Sequence, residues 1–191
     1  MKILQIGCHE GKDHVNDFIR ENEDDVDLFM AIDASYKSLE KAEKEYSFLK
    51  DKFISIHCAV SDFCGFTNFF SPVDDECSEH NSIYKDHLVA HSHKNIKRSI
   101  VPTSTLNNLN SLEFGPFDRI YIDTEGADIP ILLNFDLDYF KPKYIEFELA
   151  HSDGPFTHGG QKYNELTKKL IDHNYVLSQP RDQQNITAEI E

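Results

Sequence analysis

Apolar positions recur along this chain at a spacing near two, then near 3.6, then near two again, the pattern of strands alternating with amphipathic helices. Lys2–Ile6 predicts a first strand. After the segment Gly7-Cys8-His9-Glu10-Gly11, Val15, Phe18 and Ile19 make the apolar face of a helix over about Asp13–Glu21, with Asp13 as its N-cap. Leu28–Ile32 predicts a second strand ending at Asp33. Ser35 then opens a long helix through Leu49, with Leu39, Ala42, Tyr46 and Leu49 as its inner stripe. Phe53–Val60 is rich enough in β-branched and aromatic residues for a third strand, and Thr67–Phe70 for a short added one after the turn at Cys64-Gly65.

From Ser71 to about Arg98 the pattern lapses into a polar insert that carries His80, His87, His91 and His93, with a helix around Ile83–Ala90. Ser99–Thr103 is expected to be extended and Ser104–Leu112 helical. Gly115-Pro116 turns the chain into a fourth strand, Asp118–Ile122. A helix over Ala127–Phe135 tolerates Pro130 in its first turn. Tyr144–Leu149 is a fifth strand, followed by a loop over 151–160 and a helix over Tyr163–His173. Strands at Tyr175–Leu177 and Ile186–Ile190, joined by a hairpin around Pro180–Gln184, close the series. Strands and helices alternating in this way predict an α/β fold, a mostly parallel seven-stranded sheet with helices on both faces and an antiparallel last strand.

Composition narrows the class. At 191 residues, with 39% hydrophobic and 28% charged residues, the chain fits one domain, 1–191, around a single core. No run reaches the ~18–20 apolar residues of a membrane span, and the first residues lead into a strand, not a signal peptide, so no membrane and a cytoplasmic location are expected. Asp and Glu outnumber Lys and Arg by 34 to 19, a formal charge of −15 that repels phosphate backbones and argues against a nucleic-acid substrate. The four cysteines, Cys8, Cys58, Cys64 and Cys77, lack metal-knuckle spacing.

A strand, a glycine turn and a helix start over 3–18 form a nucleotide-type pocket, because glycine lets backbone approach a ligand and the helix start presents free N–H groups. The glycines are spaced Gly7-xxx-Gly11, without the third glycine of dinucleotide folds; a purely structural turn is the alternative. Asp33, 22 residues after Gly11, stands where a carboxylate accepts hydrogen bonds from both ribose hydroxyls, or else caps the next helix, a task open also to Ser35. Ala59-Val60-Ser61-Asp62 borders the adenine side of the crevice, with Val60 against the ring and Asp62 either at the exocyclic amine or forming a turn. Asp123 and Glu125, in Asp123-Thr124-Glu125-Gly126, bring two carboxylates to the fourth strand's end, to act as general base or to hold a divalent metal; the alternative is capping. Beyond Glu148, His151 is a further base or acceptor-orienting group unless it merely faces solvent. His87 and His91 stand at i, i+4 as metals accept, but spacing fixes no third ligand, so a metal is not favoured. Tyr46 and Lys50, spaced like a dehydrogenase pair, lie on the wrong helix for hydride transfer.

The segment Ile3-Leu4-Gln5-Ile6-Gly7-Cys8-His9-Glu10-Gly11 resembles motif I of FkbM-type methyltransferases, with Gln5 in place of the usual acid. Asn81-Ser82-Ile83 resembles their Ser-Ser-Leu segment, Ile120-Tyr121-Ile122-Asp123-Thr124-Glu125-Gly126-Ala127-Asp128 their most specific signature, and Ile145-Glu146-Phe147-Glu148 their fifth strand. Ala34 departs from the proline often found after the ribose acid. The resemblance spans about Lys2 to His151 and implies a Rossmann-like class I methyltransferase fold, S-adenosylmethionine as cofactor, and methyl transfer to a hydroxyl of a small molecule or sugar. In that reading the loop with Gly7, Cys8, His9 and Gly11 holds the methionine portion, with Gln5 near its amino-acid end. Asp33 and Ala34 border the ribose, and Val60 and Ser61 the adenine. Asp123 or Glu125, with His151, orients or deprotonates the acceptor. With Met1 abutting the first strand, the 71–98 insert and 151–160 loop are expected to recognise the acceptor. A nicotinamide-dependent oxidoreductase and a non-catalytic cofactor-binding module are the rival classes.

Overall fold

The computed structural model of the protein describes residues 1–111, 114–178 and 185–190. Ten strands and six α-helices occur among them: β1 (Lys2–Ile6), α1 (His14–Glu21), β2 (Leu28–Asp33), α2 (Tyr36–Glu45), β3 (Phe53–His57), β4 (Ala59–Val60), β5 (Gly65–Pro72), α3 (Lys85–Ala90), β6 (Ile96–Ser104), α4 (Leu106–Asn110), β7 (Arg119–Ile122), α5 (Asp128–Leu133), β8 (Tyr144–Glu148), α6 (Gln161–Asp172), β9 (Val176–Leu177) and β10 (Asn185–Glu189). Seven of the strands form one sheet in the order β3-β2-β1-β7-β8-β10-β9. It is parallel from β3 to β8; β10 runs antiparallel to both its neighbours. The expected hairpin around Pro180–Gln184 lies outside the described residues.

Alternation along the strands divides the core between the two faces of this sheet. Leu4, Ile6, Met30, Ile32, Ile120, Ile122, Ile145 and Phe147 pack on one side with α4, α5 and α6. Ile3, Phe29, Ala31 and Tyr121 pack on the other, with Val15 and Ile19 of α1 and Leu39 and Ala42 of α2. Asp13 caps α1 by accepting from the Val15 and Asn16 amides, and Ser35 caps α2 by accepting from Ser38. Among the described residues, no helix is long and apolar enough to cross a membrane.

Three expectations need correction. The third strand does not run through Phe53–Val60: it stops at His57, and β4 crosses into a second sheet of order β4-β6-β5. β-Rich sequence continues through the break because both sheets demand it, so composition alone conceals the transfer. Second, the segments expected at Thr67–Phe70 and Ser99–Thr103 are two arms of one long hairpin, paired from Gly65↔Thr103 to Pro72↔Ile96, which shortens the irregular insert to 73–95. Phe66 and Ile100 in these arms are exposed, so the alternation that marks a half-buried strand is weak. Third, the helix expected to reach Leu49 ends at Glu45 with Tyr46 as its C-cap, and a 3-10 turn with Lys50 at φ 54° follows. Tyr46 and Leu49 stay buried because the turn keeps both on the inner side.

The chain leaves β1 through α1 to β2 on one side, and returns later to β7 on the other. The carboxyl ends of β1 and β7 therefore flank a topological switch point, where open α/β sheets bind ligands. The 73–95 insert and the 151–160 loop overhang that end.

Candidate active site

Both glycines of the first loop are demanded by neighbouring protein before any ligand is considered. Gly7 has φ +77°, and a Cβ there would lie 1.7 Å from the Asp123 carbonyl oxygen; at Gly11, φ +68°, it would lie 2.6 Å from the Tyr46 ring. Gly11 N–H donates to the Cys8 carbonyl at 2.9 Å, closing the turn. Cys8 turns its side chain into the α1–α2 core, and burial holds its thiol well above the usual range. Neither Cys8 nor Gly11 lines the cleft, so their part in holding a ligand is to shape the loop. His9, between them at φ 47°, does line it. Its amide donates to Asp33 Oδ2 at 2.8 Å, and its ring Nε2 is bonded to the Cys77 carbonyl of the insert.

Asp33 ends β2 with both oxygens engaged by backbone, Oδ2 by His9 N–H and Oδ1 by Ser35 N–H at 2.7 Å. Because Ser35 caps α2 through its own hydroxyl, Asp33 is not that cap. Each carboxylate oxygen retains a second lone pair, and Asp33 faces the cleft beside Ala34. Burial pushes its carboxyl up to about 6, against the two backbone hydrogen bonds that lower it. Ile32, Cys58, Ala59, Val60 and Phe69 supply an apolar wall. Ser61 does not join it: its hydroxyl is spent on Thr103 Oγ1 at 2.9 Å in the second sheet.

Gln5 is likewise one step removed. It is buried, with its amide donating to Asp13 Oδ2 at 2.7 Å and its carbonyl accepting from Tyr46 OH at 3.2 Å. Asp13 reaches the cleft in its place, carrying a carboxylate beside the Gly7–Gly11 loop. Sequence reasoning found Asp13 as a cap and overlooked this second face.

The opposite wall begins at the end of β7. Asp123 opens into the cleft, and enclosure, then the charges of Asp128, Glu125 and Asp13, push it well above the ordinary carboxylate range. Neither Asp123 nor Glu125 caps the following helix, whose N-cap is Ala127 with no side-chain bond. Asp128 had no role in the sequence reading; it proves to be the strut of this corner. It is buried and accepts from Thr124 N–H at 2.9 Å, from the Thr124 hydroxyl, and from Glu148 N–H at 2.9 Å, so it ties the ends of β7 and β8 together. Its place in the Asp123–Asp128 signature was the available signal.

Glu125 and His151 both adopt left-handed backbone conformations, φ 56° and 66°, costly for residues with a Cβ and common where function fixes geometry. Ser82 supports the first by donating from Oγ to the Glu125 carbonyl at 2.9 Å. Burial pushes Glu125 up to about 8 and Glu148 up to about 10, with neighbouring carboxylates adding to both. His151 is not a solvent-facing loop residue: it is buried, and its Nδ1 accepts Phe156 N–H at 2.8 Å. Around it gather histidines of the insert. The His87 and His151 rings meet edge to face at 4.4 Å, His87 and His91 lie 4.6 Å apart, and His80 stacks on His91 at 3.9 Å. Burial, reinforced by neighbouring histidines, lowers His87, His91 and His151 to about 4, so these imidazoles are neutral near pH 7.

Together these walls enclose a cleft of about 560 Å³, within the range of cofactor sites. The model of the methyltransferase FkbM domain matches residues 5–177. The chain belongs to the FkbM methyltransferase family. No curated protein sequence matches it. Among solved structures it is similar to methyltransferase FkbM from Methylobacillus flagellatus KT, with 11% identity and a TM-score of 0.60 over 99% of this chain and 43% of that one. It is also similar to the SAH-bound methyltransferase PaMTH1 of Podospora anserina, with 13% identity and a TM-score of 0.54 over 100% of this chain and 71% of that one. At such identities the likeness establishes the fold, and this FkbM domain spans less than half of the Methylobacillus chain.

Proposed function

We propose that the protein is an S-adenosylmethionine-dependent methyltransferase acting on a hydroxyl oxygen of a small molecule or carbohydrate. The observation that carries this reading is the pairing of Asp33 with Asp123 across the switch point, a ribose-type carboxylate facing an acidic corner in one cleft. The donor set suits the cofactor: Asp33 has lone pairs for two ribose hydroxyls, Ala59 and Val60 offer an apolar face for a purine, and Asp13 offers an anion for an amino group. Raised carboxylates also suit a cationic ligand, because a positive charge brought among them favours their ionised forms.

When bound, the cofactor supplies a methyl already electrophilic on a sulfonium, so the chain's task is to align an acceptor oxygen and receive its proton. Asp123 opens into the cleft with its proton affinity raised by burial and by the neighbouring carboxylates, so it is the group placed to receive that proton. Glu125 and His151 shape the acceptor's side of the cleft, where residues of the insert and of the 151–160 loop also line it. The net charge of −15 favours a neutral or cationic acceptor over nucleic acid.

Calorimetric titration with S-adenosylmethionine and separately with NAD+ tests the cofactor, and a methyl-transfer screen over hydroxylated small molecules and sugars tests the reaction. Binding of the first and not the second, with product in the screen, is expected. Preference for NAD+ would replace the reading with an oxidoreductase, and cofactor binding with no product from any acceptor would leave a binding module.

A further inference from the structure

We propose that His87, His91 and Glu125 form a binding site for a zinc-class divalent transition ion on the acceptor side of the cleft, with His151 orienting the carboxylate. One ligand atom from each of these four residues lies within 4.8 Å of the others. Ligands of a tetrahedral zinc stand about 3.4 Å apart, so a closure of roughly 1 Å would seat the ion.

Three independent features favour a ligand set over a packed cluster. First, among the described residues His87 Nε2 and His91 Nε2 are buried with no hydrogen-bond partner. Nε2 of His87 comes within 2.7 Å of Glu125 Oε2, the carboxylate that would share the ion. Buried polar atoms in native proteins are almost always satisfied, and a cation shared by the two rings and the carboxylate would satisfy these. Second, the His91 amide donates to the His87 carbonyl at 3.1 Å, so a helical turn sets both rings on one face, and the carboxylate arrives from a different element. Third, Glu125 reaches that point only through a left-handed backbone held by Ser82.

His151 has a different part. Its Nδ1 accepts Phe156 N–H, which leaves the ring hydrogen on Nε2, 3.9 Å from Glu125 Oε2, placed to hydrogen-bond a ligating carboxylate once the cluster closes on the ion. His80 and His93 are occupied with each other, ring nitrogen to ring nitrogen at 2.9 Å. Two imidazoles and one carboxylate match zinc and similar ions, whereas magnesium and calcium call for oxygen ligands. Three protein ligands leave a coordination position open, and His91 and Glu125 both line the cleft, so that position faces the acceptor. The use of the ion to orient an acceptor oxygen rests on the methyl-transfer reading; its binding does not.

The test is titration of the chelator-stripped full chain with Zn2+ by calorimetry and with Co2+ by absorption, alongside S-adenosylmethionine binding as a separate measurement. One Zn2+ per chain and Co2+ bands of a four- or five-coordinate site are expected. His87→Ala and His91→Ala should each weaken Zn2+ by more than about 100-fold, and His151→Gln by about 10-fold. His173→Ala, remote from the site, should leave it unchanged. His91→Asn, milder at this half-buried position, serves where the alanine variant does not fold. Absence of stoichiometric Zn2+ in the wild type, or affinity kept within threefold in His87→Ala/His91→Ala, would overturn the proposal. So would an octahedral Co2+ spectrum insensitive to the histidines. Zn2+ binding without cofactor binding would sink the methyl-transfer reading and leave the metal site standing.

Discussion

The two walls of the cleft are built in different ways. The wall proposed to hold the cofactor comes from short stretches that follow one another closely, Gly7–Asp13 and Asp33–Ser35, and its side chains are fixed by backbone hydrogen bonds and by glycines with no room for a Cβ. The wall proposed to face the acceptor gathers His87, His91, Glu125, Glu148 and His151 from four separate elements, and side chains hold it together. A site fixed by backbone fails when the backbone cannot form; a site fixed by side chains degrades in steps. This difference predicts how each wall breaks.

The largest effect is expected at Gly7. Gly7→Ala forces a left-handed residue with a Cβ into the Asp123 carbonyl, 1.7 Å away. Strain and overpacking together should cost about 3–5 kcal/mol, lowering the melting temperature by about 10 °C and damaging both walls, since Gly7 presses on the end of β7. Thermal unfolding checks this; a fall of under about 2 °C would show that the two strands can part at no great cost. Next is Asp33→Ala, which removes the proposed ribose acceptor but leaves the opposite wall intact. The cofactor Kd should rise roughly 100-fold by calorimetry, the loss of two charge-assisted hydrogen bonds. Zn2+ affinity should not move.

The same residue sharpens the contrast through pH. Burial raises Asp33 from an ordinary value near 3.8 to about 6, and ribose hydroxyls need its ionised form. Cofactor affinity should therefore be full above about 6 and fall by up to tenfold per unit as pH drops through it. Stability linked to this group runs the other way. Between its ordinary value and about 6 the folded state holds more protons than the unfolded one, so unfolding free energy declines as pH rises through that window. Asp33→Asn should flatten both dependences, and a wild-type affinity constant from pH 7 to 5 would remove Asp33 from the ribose.

How much of each wall was legible in the sequence follows from the same difference. Strand–glycine–helix, Asp33 and the Asp123–Asp128 signature are contiguous, and periodicity placed their elements within a few residues of the observed ends. The seven-stranded sheet was legible for that reason. The transfer of β4 to a second sheet was not, because Ala59 and Val60 are equally at home in either. Nor could spacing tell that Gln5 would be covered by Tyr46 while Asp13 reached the cleft, since both depend on how α1 and α2 pack. His87 and His91 lacked a third partner on the helix. Glu125 and His151, 34 and 60 residues beyond His91, meet them only once the insert folds back over β7 and β8.

The smallest effect should arise where the walls are joined. His9 belongs to both: its amide holds Asp33, and its ring is bonded to the Cys77 carbonyl in the insert. His9→Asn separates the two roles, because asparagine tolerates the left-handed backbone at φ 47° and keeps the amide, but is too short to replace the ring. One neutral hydrogen bond is worth about 1 kcal/mol, so the acceptor KM should rise by about fivefold as the insert loosens, with the cofactor Kd changed less than about threefold. Steady-state kinetics with the acceptor found by the screen, paired with cofactor calorimetry, reads both numbers. Equal losses in both would mean that the insert holds Asp33 as well as the acceptor wall, and that the two walls are a single structural unit.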